Sequence, residues 1–296
     1  ENNHIKGRMF NNIDFGHYIS YRFYPEKRIF IDTRTELYKC DFYKSYQRAQ
    51  NYPGEWEALQ EKYNFDVVFL RHIFGGTERI LKYLYNNKRW VLVYYDENSA
   101  IFLRDTPGNQ NTIENFKIDF NKKKIEKRDE IFSIASFFEK IGEIKLAEEV
   151  YAKLIKAKPK FLEAGNNLAA IYINTGRYRE AFDIIDRFLK FFPKSAELYC
   201  NKGTAYLRIG KKEAGLAMLM ESARLNPYLR QASYMLGMVY LERGDMDKAI
   251  KQFVKYVTLN PYSAAAHKIL GDIYRQKGLL KKAAAEYNEA DKLAGK

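Results

Sequence analysis

The chain has few of the residues that build disulfide-linked or metal-binding proteins. Its 296 residues include only two cysteines, Cys40 and Cys200, and four histidines. One cysteine in each half of the chain excludes a disulfide framework, and the histidines lack the spacing of a metal site. No run of about 18 apolar residues is present, so no membrane-spanning segment is predicted. We therefore expect neither a metal nor another cofactor.

The chain also lacks an initiator methionine and a signal peptide, so we expect a piece of a longer protein or a processed one. Its net charge is +13, and this excess is spread over both halves rather than gathered in a basic tail. Such a field favours nucleic acid, anionic lipid or acidic glycan, or it reflects ordinary lysine-rich solubility. Nucleic acid is not an expected partner, because the sequence has no RNA-binding motif and no basic-aromatic stripe.

The second half of the chain repeats with a period of 34 residues. The period is marked by prolines and glycines, at Pro159, Pro193, Pro227 and Pro261 and at Gly142, Gly176, Gly210, Gly244 and Gly278. Two series of small residues and one of tyrosines keep the same register, at Ala135, Ala169, Gly203, Gly237 and Gly271, at Ala147, Ala181, Gly215, Ala249 and Ala283, and at Tyr172, Tyr206, Tyr240 and Tyr274. This pattern resembles the tetratricopeptide (TPR) repeat over residues 129–294.

The resemblance implies an all-α, right-handed superhelix of five repeats, at 129–161, 162–195, 196–229, 230–263 and 264–294. In each repeat the glycine ends the first helix (helix A) in the left-handed conformation, and the proline closes the second helix (helix B). Small residues let the two helices approach closely, and the tyrosine fills the gap between repeats. One helix pair cannot bury its apolar face, so the repeats stack and leave a concave groove lined by helix A.

The groove is the candidate binding site, for a protein or an extended peptide. Its predicted residues are Asn166, Asn167, Asn174, Asn201, Thr204, Arg208, Tyr234, Met235, Met238 and Lys268. Asn167 and Asn201 are one repeat apart, and amide side chains projecting there would bond the backbone of a peptide, unless they simply occupy a solvated face. Tyr234, Met235 and Met238 form either an apolar spot for an aliphatic anchor or ordinary packing against the next repeat.

The first half of the chain predicts a small α/β or α+β domain over residues 1–110, followed by a linker or capping segment over 111–128. Apolar, β-branched runs predict strands at Arg28–Asp32, Asp66–Arg71, Trp90–Tyr95 and Ala100–Arg104. Amphipathic patterns predict helices at Glu36–Gln50, Pro53–Tyr63 and Thr77–Asn86, with Thr77 as an N-cap. We expect a mixed sheet whose last two strands form an antiparallel hairpin.

Several strings in this half resemble a second family. They are Phe10–Ile19, Tyr24–Tyr38, Trp56–Glu57, Tyr63–Leu70, Trp90–Asp96 and Ile101–Arg104. Their order and spacing over residues 1–105 are similar to those of the soluble domain that follows the last membrane helix in bacterial polytopic proteins related to GT-C glycosyltransferases, of the protein-mannosyltransferase and aminoarabinose-transferase type. The sequence departs from that pattern at His17 and Thr33, where the family carries glycine. The resemblance implies an extracytoplasmic region, periplasmic or at the cell surface, attached to an upstream membrane domain. No residue here matches the catalytic carboxylate of that family.

A possible ligand site lies where the first predicted strand ends, at Asp32, Arg34 and Tyr38. Ligands bind at such strand ends in open sheets, and Arg34 has the geometry to hold a phosphate or a sugar carboxylate. Alternatively, Asp32 and Arg34 pair to fix the turn and cap the next helix. The basic run Lys122–Lys124 with Lys127 and Arg128 forms either a solvated face or a contact with anionic lipid.

Three hypotheses follow for the function. The leading one is a non-catalytic protein-interaction region of a larger membrane protein resembling a glycosyltransferase. The second is a stand-alone soluble TPR adaptor, which would also suit the cytoplasm. The third is an enzyme with its site in the first domain; it ranks last because no nucleophile–base pair, metal cluster or carboxylate pair is defined. Whether the full-length protein transfers a sugar stays open.

Overall fold

The computed structural model describes residues 7–23, 25, 28–72, 77–96, 98–119 and 128–294. They form two compact units that divide between Ala157 and Lys158. A small domain built on a mixed sheet is followed by helices arranged in consecutive pairs, as the sequence predicted. The contacts group the first helix pair with the sheet in unit 1 and the other pairs in unit 2. None of the described helices is long and apolar enough to cross a bilayer.

Unit 1 contains four strands and seven α-helices among its described residues. In chain order they are β1 (Met9–Asn11), α1 (Gly16–Phe23), α2 (Cys40–Ala49), α3 (Pro53–Tyr63), β2 (Val67–Arg71), α4 (Glu78–Asn86), β3 (Trp90–Tyr95), β4 (Ser99–Arg104), α5 (Gln110–Phe116), α6 (Arg128–Ile141) and α7 (Ile144–Ala157).

The sheet of unit 1 has the strand order β1-β2-β4-β3. Strand β1 runs parallel to β2, whereas β4 is antiparallel to both β2 and β3. The predicted mixed sheet and its final hairpin are therefore confirmed. Aromatic side chains fill the core beside the sheet: the ring centroid of Phe10 lies 5.1 Å from that of Trp56 and 5.5 Å from that of Phe65. These rings are fully or almost fully buried.

The segment 28–32, predicted as a strand, is not one. The buried side chain of Asn11 takes the place of a strand partner: its carbonyl oxygen accepts from the amide of Phe30 at 2.9 Å, and its amide donates to the carbonyl of Ile31 at 2.7 Å. The prediction was wrong because the backbone amide of Phe30 and the carbonyl of Ile31 bond to this side chain rather than to a neighbouring strand. The same reasoning missed β1, whose three residues are too few to show a periodic pattern.

The helices of the small domain follow the predictions with shifts at their N-termini. Helix α3 has the predicted bounds Pro53–Tyr63, whereas α2 begins at Cys40 and not at Glu36. Helix α4 begins after Thr77, but the Thr77 hydroxyl donates to the carbonyl of Arg71 at 3.0 Å and makes no cap hydrogen bond. Thr77 therefore occupies the predicted N-cap position, but its side chain bonds to the end of strand β2 instead of capping the helix.

The segment predicted as a linker or cap is described in part. It contains the short helix α5, in which Ile113 is buried. The basic residues 122–124 and 127, with the apolar residues 120 and 125, lie outside the described residues.

Helix α6 packs directly on the small domain. The ring of Phe137 is stacked on Tyr95 with centroids 5.4 Å apart and lies 4.9 Å from the ring of His72. The Lys140 amine donates to the backbone carbonyl of His72. Because Phe137, Tyr95 and His72 are all buried, helix α6 and the sheet share one core.

Unit 2 contains eight helices among its described residues, in four A–B pairs. They are α8 (Leu162–Asn174) with α9 (Tyr178–Leu189), α10 (Ala196–Arg208) with α11 (Lys212–Leu225), α12 (Arg230–Glu242) with α13 (Met246–Leu259), and α14 (Ala264–Gln276) with α15 (Leu280–Ala294). Each predicted glycine after helix A has a positive φ, from 72° to 95°. The amide of the next residue then bonds a carbonyl of the last turn, as Arg177 does to Tyr172 at 2.8 Å. The predicted left-handed helix ends are confirmed.

The small residues of the repeat pattern lie at close contacts between paired helices. A Cβ atom added to Gly237 would lie 2.9 Å from the ring of Phe253, and one added to Gly271 would lie 2.8 Å from the ring of Tyr287. Between repeats, the ring of Tyr206 packs on Phe182 with centroids 4.8 Å apart. Both roles predicted for the repeat pattern, close helix approach and filling between repeats, are confirmed.

Candidate functional site

The ten predicted groove residues lie on helices α8, α10, α12 and α14, which are the A helices of unit 2. Asn174, Arg208, Met238 and Lys268 are exposed, Asn166, Asn167, Thr204, Tyr234 and Met235 are partly buried, and Asn201 is buried. The predicted residues are therefore of two kinds: some face solvent, and others hold the repeats together.

Asn201 is one of the residues that hold the repeats together. Its residue is 5% exposed, and its side-chain amide donates to the side-chain oxygen of Asn166 at 2.8 Å and to the Asn166 carbonyl at 3.2 Å. The expectation that Asn201 projects into the groove beside Asn167 is therefore wrong. The bond links helix α10 to helix α8 of the preceding repeat. A peptide-binding role for Asn167 stays a prediction.

The three residues of the predicted apolar spot, Tyr234, Met235 and Met238, also differ in what they contact. Tyr234 packs edge-on against Phe253 with ring centroids 5.8 Å apart and lies 5.2 Å from Tyr256. Met235 packs on the buried cluster around Leu236. Only Met238, which is 39% exposed, presents an apolar side chain to solvent. Of the two roles inferred from the sequence, packing describes Tyr234 and Met235, whereas an anchor role for the exposed Met238 stays a prediction.

Thr204 and Cys200 are tied to each other on helix α10. The Thr204 hydroxyl donates to the Cys200 carbonyl at 2.9 Å, one turn back along the helix. Cys200 itself is fully buried, and burial raises the pKa of its thiol to about 12. At neutral pH this thiol is therefore protonated and shielded, so it has no reactivity to offer a ligand.

Ion pairs join neighbouring repeats near the turns that follow helix A. Lys212 bonds Glu242, Arg243 bonds Glu213 at 2.6 Å, and Lys277 bonds Asp247. Sequence reasoning missed these pairs, although the constant spacing of 30 residues between partners is visible once the repeat is known. They are largely exposed, so each contributes little to stability.

The second predicted site is a compact cluster around a buried carboxylate. Asp32 is fully buried, and its oxygens accept from the Arg34 amide at 3.0 Å, from Arg34 Nε at 2.9 Å, from Arg34 Nη2 and from the Tyr38 hydroxyl at 3.2 Å. The Arg34 guanidinium holds the pKa of Asp32 below its usual value. Burial raises the pKa of Tyr38. The structure thus brings the three predicted residues together, with Asp32 and Tyr38 turned inward.

Only Arg34 of these three faces solvent, and it does so beside residues that the sequence did not single out. An open depression is lined by Arg34 together with His17, Ser20 and Tyr21 of helix α1. The three α1 residues share one helical face, because they are three and four positions apart. That spacing was the available signal, but a helix of only eight residues gives a weak pattern.

The chain was compared with known proteins. The sequence profile of the tetratricopeptide repeat matches residues 138–196, 200–264 and 256–296, which together are more than half of the chain. No curated protein matches the sequence.

Solved structures that resemble the chain include a crystal structure of MamA, with 29% identity, 55% of this chain and 95% of that chain covered, and a TM-score of 0.45. Another is TTC0263, a TPR protein of Thermus thermophilus, with 21% identity, 57% and 93% coverage and a TM-score of 0.50. A third is the APC/C hetero-tetramer Cut9–Hcn1, with 21% identity, 57% and 34% coverage and a TM-score of 0.51. The last two resemblances concern the fold alone.

Proposed function

The chain belongs to the tetratricopeptide repeat family, and from that membership we propose that its repeat half is a binding scaffold whose groove holds an extended, partly apolar segment of a partner protein. The TPR fold is consistent with a protein-interaction role in any cellular context.

One observation carries the proposal: three exposed side chains lie on successive A helices of unit 2. Arg208 is on α10, Met238 on α12 and Lys268 on α14. Met238 offers a flexible apolar contact, and the two cations flank it along the array. This arrangement suits a segment that carries an apolar side chain and is not basic itself. Asn167, on α8, extends the same series with an amide.

The proposal is tested by selecting binding peptides against the full chain from a random display library, and by measuring their affinity for groove variants. Met238→Glu places a charge at the proposed apolar contact. We expect it to weaken binding at least tenfold, because a carboxylate would be desolvated against an apolar side chain. Arg208→Glu should weaken the binding of peptides that carry acidic residues and leave the affinity of other peptides unchanged.

Met220 provides the matched control, because it is another exposed methionine but lies on α11, a B helix. Met220→Glu should leave peptide affinity unchanged. If instead Met220→Glu abolishes binding and Met238→Glu does not, the partner binds outside the groove and the proposal fails.

We extend the proposal to the setting of the chain. The strings of residues 1–105 described above support an extracytoplasmic region attached to an upstream membrane domain that resembles a glycosyltransferase. The stand-alone adaptor remains the alternative. Sequencing the complete gene product distinguishes the two: about ten or more apolar spans before Glu1 support the first, and a complete chain without any span rejects it.

A further inference from the structure

The depression beside helix α1 has the size and lining of a small-ligand site. Its volume is about 480 Å³, and it is open to solvent. Four side chains line it, those of His17, Ser20, Tyr21 and Arg34. This volume falls in the range of small-molecule sites, roughly 300–1,000 Å³.

Each polar group in the lining can donate a hydrogen bond, and none of the four residues is acidic. Arg34 brings a guanidinium, Ser20 and Tyr21 bring hydroxyls, and His17 brings an imidazole, which Thr33 contacts through its hydroxyl at 3.1 Å from Nδ1. Donors concentrated around one space, with no carboxylate among them, favour an anionic oxygen ligand.

Arg34 is held in a fixed orientation within this lining. Its Nε and Nη2 atoms are bonded to the buried carboxylate of Asp32, and its side chain is nevertheless 53% exposed. The Nη1 atom makes no hydrogen bond to any residue in the part of the chain that the structure describes. Asp32 therefore orients the guanidinium and leaves one edge of the fork for a ligand.

We propose that this depression binds a phosphate group carried by a small polar molecule. A phosphate monoester presents three acceptor oxygens and a charge near −2, so it satisfies more of these donors than a two-oxygen carboxylate does. Tyr21, which is 91% exposed, offers its ring to the remainder of the ligand.

Two sources would present the same chemistry. One is a soluble phosphorylated sugar, whose ring packs on Tyr21. The other is the headgroup of a phospholipid, for which the exposed ring of Tyr18 on the same helix would add contact at a bilayer surface. The binding chemistry is shared, so the experiment must separate the sources.

The test is an NMR titration of the full, isotope-labelled chain with inorganic phosphate, then with a hexose 1-phosphate, and in parallel a co-sedimentation with phosphatidylcholine vesicles that contain or lack phosphatidic acid. We expect saturable shifts confined to the amides of helix α1 and of Thr33 and Arg34. Tighter binding of the hexose phosphate identifies a soluble ligand, whereas co-sedimentation only with phosphatidic acid identifies a headgroup.

Three variants locate the site. Arg34→Gln should weaken phosphate binding at least tenfold, because it replaces charge-assisted hydrogen bonds by weaker neutral ones. This variant also leaves Asp32 buried without its partner, so its folding must be checked by circular dichroism. The double variant Ser20→Ala/Tyr21→Ala removes two lining side chains, leaves the Asp32–Arg34 pair in place and should also abolish phosphate binding. The control is Arg89→Gln, which removes an arginine of similar exposure that pairs with Glu57 on the same unit.

Several results would overturn the proposal. One is the absence of shifts at helix α1 in the folded wild-type chain with both phosphates and both vesicles. Another is a set of phosphate-induced shifts that are spread over other basic surfaces and that change equally in Ser20→Ala/Tyr21→Ala and in Arg89→Gln. If acetate or a hexuronate binds as tightly as phosphate does, the depression is a carboxylate site and the assignment of phosphate is rejected.

Discussion

The ring of Phe137, on the first repeat helix, lies nearly parallel to the ring of Tyr95, at the end of strand β3, with an interplanar angle of 7° and centroids 5.4 Å apart. Both rings are buried. The first helix pair of the repeat half is therefore not an independent module that follows the small domain. It shares a hydrophobic core with the sheet and is expected to unfold with it.

Phe137→Ala tests this shared core. Removal of a buried aromatic ring leaves a cavity, and we expect a loss of about 3–5 kcal/mol in the unfolding free energy of unit 1. Urea unfolding followed by tryptophan fluorescence reports on this unit, because Trp56 and Trp90 both lie in it. Phe191→Ala, at a more exposed phenylalanine, should have a much smaller effect. Equal effects of the two changes would mean that the helix is not part of that core.

The second prediction concerns a close helix approach in unit 2. Gly237→Leu inserts a side chain where even a Cβ atom would lie 2.9 Å from the ring of Phe253. We expect overpacking to cost about 1–3 kcal/mol, measured as a lower thermal midpoint. The control is Gly54→Leu, because nothing lies within 4 Å of the Cβ position there. A Gly237→Leu midpoint equal to that of the wild type would show that the helices separate there without loss.

Stability of unit 1 should fall in mild acid because of His72. The Nε2 atom of His72 bonds the backbone carbonyl of Asp96 at 2.7 Å, whereas its Nδ1 atom has no hydrogen bond to a described residue. The Lys140 amine donates to the backbone carbonyl of His72. Burial lowers the pKa of His72 below its ordinary value of 6.5. As the pH falls through 6.5, the unfolded chain takes up a proton that the folded chain resists, so protons favour unfolding.

We therefore expect the unfolding free energy of unit 1 to be largest above the ordinary histidine pKa of 6.5 and to decline as the pH falls below it. Urea titrations at several pH values measure this decline. His72→Gln should reduce the stability at neutral pH and flatten the dependence below it. If the variant and the wild type lose stability in parallel over this range, another group is responsible.

The fourth prediction separates two asparagines that the sequence assigned alike to the groove. Asn201→Ala removes the bonds to Asn166 and should lower the stability of unit 2 by about 1 kcal/mol, seen as a lower thermal midpoint. Asn174→Ala, at an exposed position, should leave the midpoint unchanged. Stability should therefore distinguish the two variants even before a partner is known. A midpoint for Asn201→Ala equal to that of Asn174→Ala would mean that the bond between α8 and α10 contributes nothing.

The sequence predicted the repeats well because each helix pair obeys the same local rules. A left-handed glycine, a small residue and a proline are readable without knowledge of distant contacts. It failed at 28–32, where the partner is the side chain of Asn11 rather than a strand, and at Asn201, where burial depends on the neighbouring repeat. Of the residues that line the proposed phosphate site, the sequence singled out Arg34, whereas its companions on α1 required the packing of that helix.

The unlike environments of the two cysteines have a practical consequence for spectroscopy. Cys40 is exposed, at the start of helix α2 in unit 1, whereas Cys200 is buried and protonated inside unit 2. A maleimide dye added to the folded wild-type chain should therefore attach at Cys40 alone. A fluorophore there labels the small domain without mutagenesis, and a second dye can be directed to any added cysteine in the groove after the first reaction is complete.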